Sequence, residues 1–290
     1  MSPGVPPPGF RLPDATHLGA VRLLVGDLER SLAYYQDVIG LEVVARSHDE
    51  ATLAPQGMST PLLHLRAGAS VQGARRVERL GLYHFAILLP NRASLGRCLN
   101  HLAESRVAVA SADHAVSEAL YLWDPDGLGI EIYVDRPRDA WRTQGQELFM
   151  TSEPLDLQGL SAAADGLVWS GMPHGTTLGH MHLHVGDLTP AEAFYHAALG
   201  FDKTVWSYPG ALFLAAGGYH HHLGTNTWAG SVPSRAANEP GLLEWEIVVP
   251  TVDDARAAAE SCARAGYQAQ ADGGSWLLTD PWGTSVRILH

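Results

Sequence analysis

Histidine is the residue in this chain best suited to chemistry. There are 15 among 290 residues, and three stand together in "GGYHHHLGTNTW" (217–228). Imidazole titrates near neutral pH and is the commonest metal ligand, so the run invites either a metal or a path for protons. If the run lies in a strand, the two-residue side-chain period places His220 and His222 on one face and His221 on the other. A second alternating set, His180, His182 and His184, occurs in "LGHMHLHVGDL". A lone strand histidine is more often a hydrogen-bonded core residue than a ligand, so a larger pattern has to decide. Glu131 in "GIEIY" adds a carboxylate that alternation turns opposite Ile130 and Ile132. If that face is buried, an unpaired carboxylate costs on the order of several kcal/mol, and a cation is its natural partner.

The larger pattern is a repeat. "LGAVRLLVGDLERSLAYYQDVIGLEVV" (18–44) matches "LGHMHLHVGDLTPAEAFYHAALGFDKTV" (178–205), with Asp27 and Asp187, Tyr35 and Tyr195, and Gly40 and Gly200 each 160 residues apart. The same offset relates "GLYHFAILLP" (81–90) to "GLLEWEIVVP" (241–250). "DPDG" at Asp124 and "DPWG" at Asp280 are 156 apart, a slip of four. Each half is doubled again. An alternating stretch precedes "DLERSLAYYQDVIG", where Asp27 suits a helix N-cap and Leu28, Leu32 and Tyr35 recur at helical spacing. Short strand-like runs follow, and the rhythm restarts at "LYHFAILLP" with "RASLGRCLNHLAES" as its helix. Strand, helix and three strands are predicted four times, the first strands beginning near Ala20, His84, His180 and Glu244.

Composition excludes several classes. The length suits two domains of about 100–200 residues. A hydrophobic share of 46% is globular, and a net charge of −12 argues against nucleic acid as a partner. No run approaches the about 18 apolar residues of a membrane span. "MSPGVPPPGFRLPD" reads as a Pro-rich arm rather than a signal peptide. Cys98 and Cys262 fall in helix-like segments of different halves, so no disulfide is expected and a cytoplasmic location is.

Together, "GLYHFAILLP", "SEALYLWDPDGLGIEIY", "LGHMHLHVGDL" and "GGYHHHLGTNTW" resemble the vicinal oxygen chelate superfamily of glyoxalase I, fosfomycin-resistance proteins and type I extradiol dioxygenases. Within it the chain looks most like the two-domain bacterial catechol 2,3-dioxygenases, from His17 to Leu289. The resemblance implies an α+β fold of four βαβββ modules, in two tandem halves whose mixed sheets form cups around one metal. The expected division is a Pro-rich arm (1–16), a first half (17–135), a linker (136–176) and a second half (177–290).

In the resembling family, ligands lie near the start of a module's first strand and on its last strand. Here those places hold Ala20, His84, His180 and Glu244, with last-strand partners Glu131 and Arg287. Neither half is complete, but His84, Glu131 and His180 form two imidazoles and one carboxylate if module two pairs with module three. Such a set suits iron(II) with positions left open. Alternatives are His180 and Glu244 with one of His220–His222, or His17 with His84 and Glu131; His182 would ligate if the strand register shifts. Arg287 would pair with Glu244 and leave the other cup without metal.

The resemblance further implies Tyr121 as a phenol donor, and a histidine of the triplet as the acid–base group. His222 is favoured, then His220, with His114 behind them. Trp123, Trp206 and Trp228 are candidates for an apolar wall. The implied activity is an Fe(II)-dependent extradiol cleavage of a catechol-type aromatic, with O2 as co-substrate. Mn(II), Ni(II) and Zn(II) are alternative metals. A glyoxalase-like lyase or isomerase, or a non-catalytic binding protein, is the competing function. The expected partner is a small aromatic substrate, with no nucleic acid or membrane; a homo-oligomer is compatible with the sequence.

Overall fold

A computed structural model describes residues 3–68, 71 and 78–290. Among them the predicted rhythm recurs four times. Module one comprises β1 (His17–Val25), α1 (Leu28–Ala33, continued by a π-helical turn, Tyr34–Val38), β2 (Glu42–Arg46), β3 (Glu50–Ala54) and β4 (Leu63–Ala67). Module two has β5 (Gly81–Leu88), α2 (Arg92–Glu104), β6 (Ala110–Asp113), β7 (Ser117–Trp123) and β8 (Gly129–Asp135). The segment after it carries a small hairpin, β9 (Thr143–Gln144) and β10 (Glu147–Leu148), then α3 (Leu157–Ala162). Module three has β11 (Thr177–His184), α4 (Leu188–Ala191, continued by π-helical Glu192–Ala198), β12 (Asp202–Val205), β13 (Ala211–Ala215) and β14 (Leu223–Asn226). Module four has β15 (Gly241–Val248), α5 (Val252–Arg264), β16 (Ala269–Asp272), β17 (Ser275–Thr279) and β18 (Ser285–Leu289). Ala20, His84, His180 and Glu244 are each the fourth residue of their strand.

Local chemistry starts each module helix in the same way. The side chains of Asp27, Asn91, Asp187 and Thr251 accept hydrogen bonds from the first-turn backbone amides of α1, α2, α4 and α5.

The modules join across the middle of the chain. One eight-stranded sheet runs β12-β13-β14-β11-β5-β8-β7-β6, uniting modules two and three; the other runs β16-β17-β18-β15-β1-β4-β3-β2, uniting modules one and four. In each, the two first strands meet antiparallel at the centre. Alternation sends one face of the central strands into a continuous apolar core, including Phe85, Ile87, Ile130, Ile132, Met181 and Leu183, with Leu95 and Cys98 of α2 and Cys262 of α5. Both cysteines are free and buried.

The two halves of the sequence are tied differently. The Asp124 carboxylate caps the β7–β8 turn by accepting from the amides of Asp126 and Leu128, at 2.9 and 2.8 Å, and accepts from the Tyr35 hydroxyl of module one at 3.0 Å. Asp280 repeats this with the amides of Trp282 and Thr284 and with the Tyr195 hydroxyl at 2.9 Å. The repeated tyrosine and aspartate thus bind module one to two and three to four, while the sheets bind two to three and one to four. The N-terminal residues add to the edge at β12: Val5 pairs with Lys203, and the Arg11 guanidinium meets both Asp202 carboxylate oxygens at 2.8 and 2.7 Å. No helix among the described residues is long and apolar enough to cross a membrane.

Candidate metal centre

The register of the central strands brings distant residues into rows. Glu131 on β8 lies beside Ala86 on β5, which lies opposite His180 on β11. One step along, Gly129, His84, His182 and Gly224 form the next row across β8, β5, β11 and β14. In the first row Glu131 and His180 flank the small Ala86, and in the second His84 and His182 stand side by side between two glycines, so the side chains converge. Ala86 leaves the gap that Glu131 and His180 close. A Cβ at Gly224 would stand 3.0 Å from the His182 ring, so a residue with a side chain would crowd that histidine.

His84, Glu131 and His180 meet in this space, with one ligand atom from each lying within 4.8 Å of the others. Glu131 Oε2 is 3.0 Å from His84 Nε2 and 3.1 Å from His180 Nε2. All three are buried, at 5%, 2% and 2% exposure. Burial holds the His84 imidazole below its ordinary range and so favours the neutral, ligating form. Burial also opposes a charge on Glu131, but the two rings beside it hold its carboxyl well below the usual range. Two lone-pair nitrogens and a charged carboxylate converge with no lysine or arginine among them. This is a facial donor set able to bind a divalent metal such as Fe(II), and its chemistry fits that ion.

The triad forms one wall of a cavity of about 320 Å³. Tyr83, Trp123, Tyr208, Phe213 and Trp228 supply an aromatic lining, and Trp206 lies outside it. Tyr121 and His114 reach the cavity together. The Tyr121 hydroxyl is 2.6 Å from His114 Nε2, and His114 Nδ1 is 2.6 Å from the Thr151 carbonyl oxygen. A carbonyl only accepts, so His114 carries its proton on Nδ1, and the tyrosine donates to the bare Nε2. Burial, with Glu131 nearby, pushes the Tyr121 phenol well up, so it stays protonated. Thr151 and Met150 reach the cavity from the segment between the halves, which sequence reading treats only as a linker.

The histidine triplet departs from expectation. His220 and His222, the two favoured acid–base candidates, do not line the cavity; His221 does, its ring centroid 4.1 Å from that of His180. Strand alternation does not apply, because β14 begins only at Leu223 and the triplet follows a turn at Gly217 and Gly218, whose φ angles are +59° and +67°. His222 packs on Tyr219, and its Nδ1 accepts from the Ala216 amide at 3.2 Å. His220 bonds Asp135 and His221 instead. The adjacent "GG" is a sequence signal that marks a turn there. His182 also faces the cavity, buried and neutral, with Nε2 unpartnered among the described residues. The alternative ligand sets are not assembled: Glu244 and His17 belong to the other sheet, Glu244 is held by Arg287, and His17 is exposed.

Comparison with known proteins agrees with this architecture. The family model for the Glyoxalase/Bleomycin resistance protein/Dioxygenase superfamily matches residues 17–132 and 177–286. A curated relative, the Catechol-2,3-dioxygenase of Bacillus subtilis (strain 168), is 44% identical over 271 residues, covering 92% of this chain and 94% of its own. Among solved structures, a candidate dioxygenase from Bacillus subtilis subsp. subtilis str. 168 superposes with a TM-score of 0.67 at 12% identity, over 97% of this chain and 86% of that one. Glyoxalase I from Zea mays does so with a TM-score of 0.55 at 17% identity, over 94% and 92%. These two show a shared fold alone. With its four modules, their cross-paired sheets and both halves matched, the chain belongs to the Glyoxalase/Bleomycin resistance protein/Dioxygenase superfamily.

Proposed function

We propose that this protein is an Fe(II)-dependent extradiol dioxygenase that opens the ring of a catechol-type aromatic with O2. The observation that carries the reading is the buried His84–Glu131–His180 set on the wall of an aromatic-lined cavity. The similarity to a catechol-2,3-dioxygenase over nearly the whole chain supports it.

In this reading His84 and His180 bind through Nε2 and Glu131 through its carboxylate. An iron(II) ion held by these three residues would supply Lewis-acid and one-electron redox chemistry toward a vicinal diol and O2. The chain itself supplies positioning and protons. Tyr83, Trp123 and Trp228 pack against a flat ring and keep bulk water from it. Tyr121, polarised by donating to His114, presents a phenol beside Glu131 that can hydrogen-bond a substrate oxygen. His221 takes the acid–base place that sequence reading gives to His222, and His182 offers a second neutral nitrogen deeper in the cup.

Reconstitution with Fe(II) under anaerobic conditions, followed by a catechol and air, is expected to give a coloured ring-fission product. The absence of product from a panel of catechols would sink the reading. Metal analysis is expected to find one iron per chain, lost in His84→Ala, His180→Ala and Glu131→Ala. Full metal in all three variants would place the iron elsewhere.

A further inference from the structure

Behind His221 lies a hydrogen-bonded chain that the metal and substrate do not need for contact. His221 Nδ1 is 2.7 Å from His220 Nδ1, and His220 Nε2 is 2.8 Å from Asp135 Oδ1. Asp135 closes β8, on the same face as Glu131 and Tyr133, and its side chain is 25% exposed. It also accepts from the Tyr219 hydroxyl at 3.1 Å, while Tyr219 and Tyr133 share a 2.6 Å hydrogen bond. The Tyr133 hydroxyl occupies the space that a side chain at Gly179, next to His180, would fill, since a Cβ there would stand 1.8 Å from it.

The directions of these bonds follow from two constraints, an acceptor-only carboxylate and one proton on each imidazole ring. A carboxylate is acceptor-only, so His220 Nε2 and the Tyr219 hydroxyl both donate to Asp135. With Nε2–H given to Asp135 and one proton on the ring, His220 presents the Nδ1 lone pair, which accepts from Nδ1–H of His221. A neutral His221 ring protonated on Nδ1 carries its lone pair on Nε2. The second nitrogen of a functional histidine is commonly set by such an outer partner.

We propose that Asp135 and His220 are positioning residues that hold His221 in its Nδ1–H tautomer, with the Nε2 lone pair as the base for a substrate hydroxyl in the cavity. This rests on the dioxygenase reading for its catalytic consequence, but not for the tautomer itself. The arrangement repeats the logic of a hydrogen-bonded aspartate orienting a catalytic imidazole, extended by one ring and with the aspartate partly exposed.

The test uses the full-length, metal-free chain with 15N-labelled histidine, in which the His221 ring signals are assigned by their loss in His221→Phe. Wild type is expected to show a protonated Nδ1 and a bare Nε2. Asp135→Asn, whose amide can donate to His220, and His220→Phe, which removes the bridge, are each expected to shift His221 towards the Nε2–H form; Asp135→Glu is expected to restore the wild-type pattern. If Asp135→Asn does not fold, His220→Phe decides alone. A wild-type ring already protonated on Nε2, or variants that keep the wild-type pattern, would overturn the proposal. In the iron-loaded enzyme, Asp135→Asn is expected to lower kcat by about 10²-fold with KM and iron content unchanged. An unchanged kcat would remove the catalytic half of the claim. Should wild type open no catechol at all, the dioxygenase reading fails, while the ring signals still decide the positioning claim.

Discussion

The two cups of this molecule are built from the same topology and hold opposite chemistry. In the cup of modules two and three, the row positions carry Glu131, Ala86 and His180, then His84 and His182. In the cup of modules one and four, Arg287 lies beside Glu246, and Arg22 lies opposite Glu244. Arg287 meets Glu244 through two bonds of 2.7 and 2.9 Å, and reaches Asp272 at 2.8 Å. Glu246 accepts from the Ala20 amide at 2.7 Å. The second cup therefore supplies its own cations and closes on itself. The first gathers lone pairs and a carboxylate with no lysine or arginine lining it among the described residues, and so is able to hold a divalent metal. One fold position, filled by arginine or by glutamate, decides whether a cup is a salt bridge or a metal centre.

This contrast can be tested from its largest consequence downward. Copying the second cup into the first with the double variant His84→Glu/Glu131→Arg is expected to abolish iron binding and lower ring-fission turnover by at least about 10³-fold, in a chain that still folds. Retained iron in that variant would break the contrast. Tyr121→Phe keeps the donor set but removes the phenol hydroxyl. Turnover is expected to fall by about 10²-fold with iron content unchanged, as steady-state kinetics and metal analysis would show.

Changes in the second cup should act on stability alone. Arg287→Leu strands a largely buried Glu244 and is expected to cost about 2 kcal/mol in urea unfolding, with iron and turnover at wild-type levels. Loss of activity there would mean the two cups are coupled.

The smallest effect concerns pH. Burial, and then neighbouring His220, pushes the His222 imidazole down to about 3. The unfolded chain, near 6.5, then binds the extra proton first, so stability falls as pH drops from about 6.5 towards 3. His222→Asn keeps an acceptor for the Ala216 amide but cannot titrate. Its urea midpoint is expected to change less than that of wild type between pH 7 and pH 5, in the metal-free protein. Equal slopes would assign the acid sensitivity to His84, His182 and His221, which burial also holds low.

Much of the site was legible because local periodicity encodes it. The 160-residue repeat exposed equivalent positions, and alternation in "GIEIY" and "LGHMHLH" assigned Glu131, His180 and His182 to the face opposite the core. The matched tyrosines and aspartates were visible as a repeat, but their bonds between modules were not.

Sequence alone therefore determined the four modules, the strand residues Glu131, His180 and His182 that face the cavity, and the presence of Arg287 where the other half has Glu131. Tertiary structure decided two things. The first is the partnership of β5 with β11, where a non-local antiparallel register brings His84 and Glu131 to His180; no local pattern states which first strands meet. The second is the fate of the triplet. A turn at Gly217 and Gly218 suspends alternation, and packing against Tyr219, Asp135 and His180 turns His221 inward and His222 away. Side-chain period is a property of regular backbone, and where the chain turns only the surrounding contacts choose which ring faces the cavity.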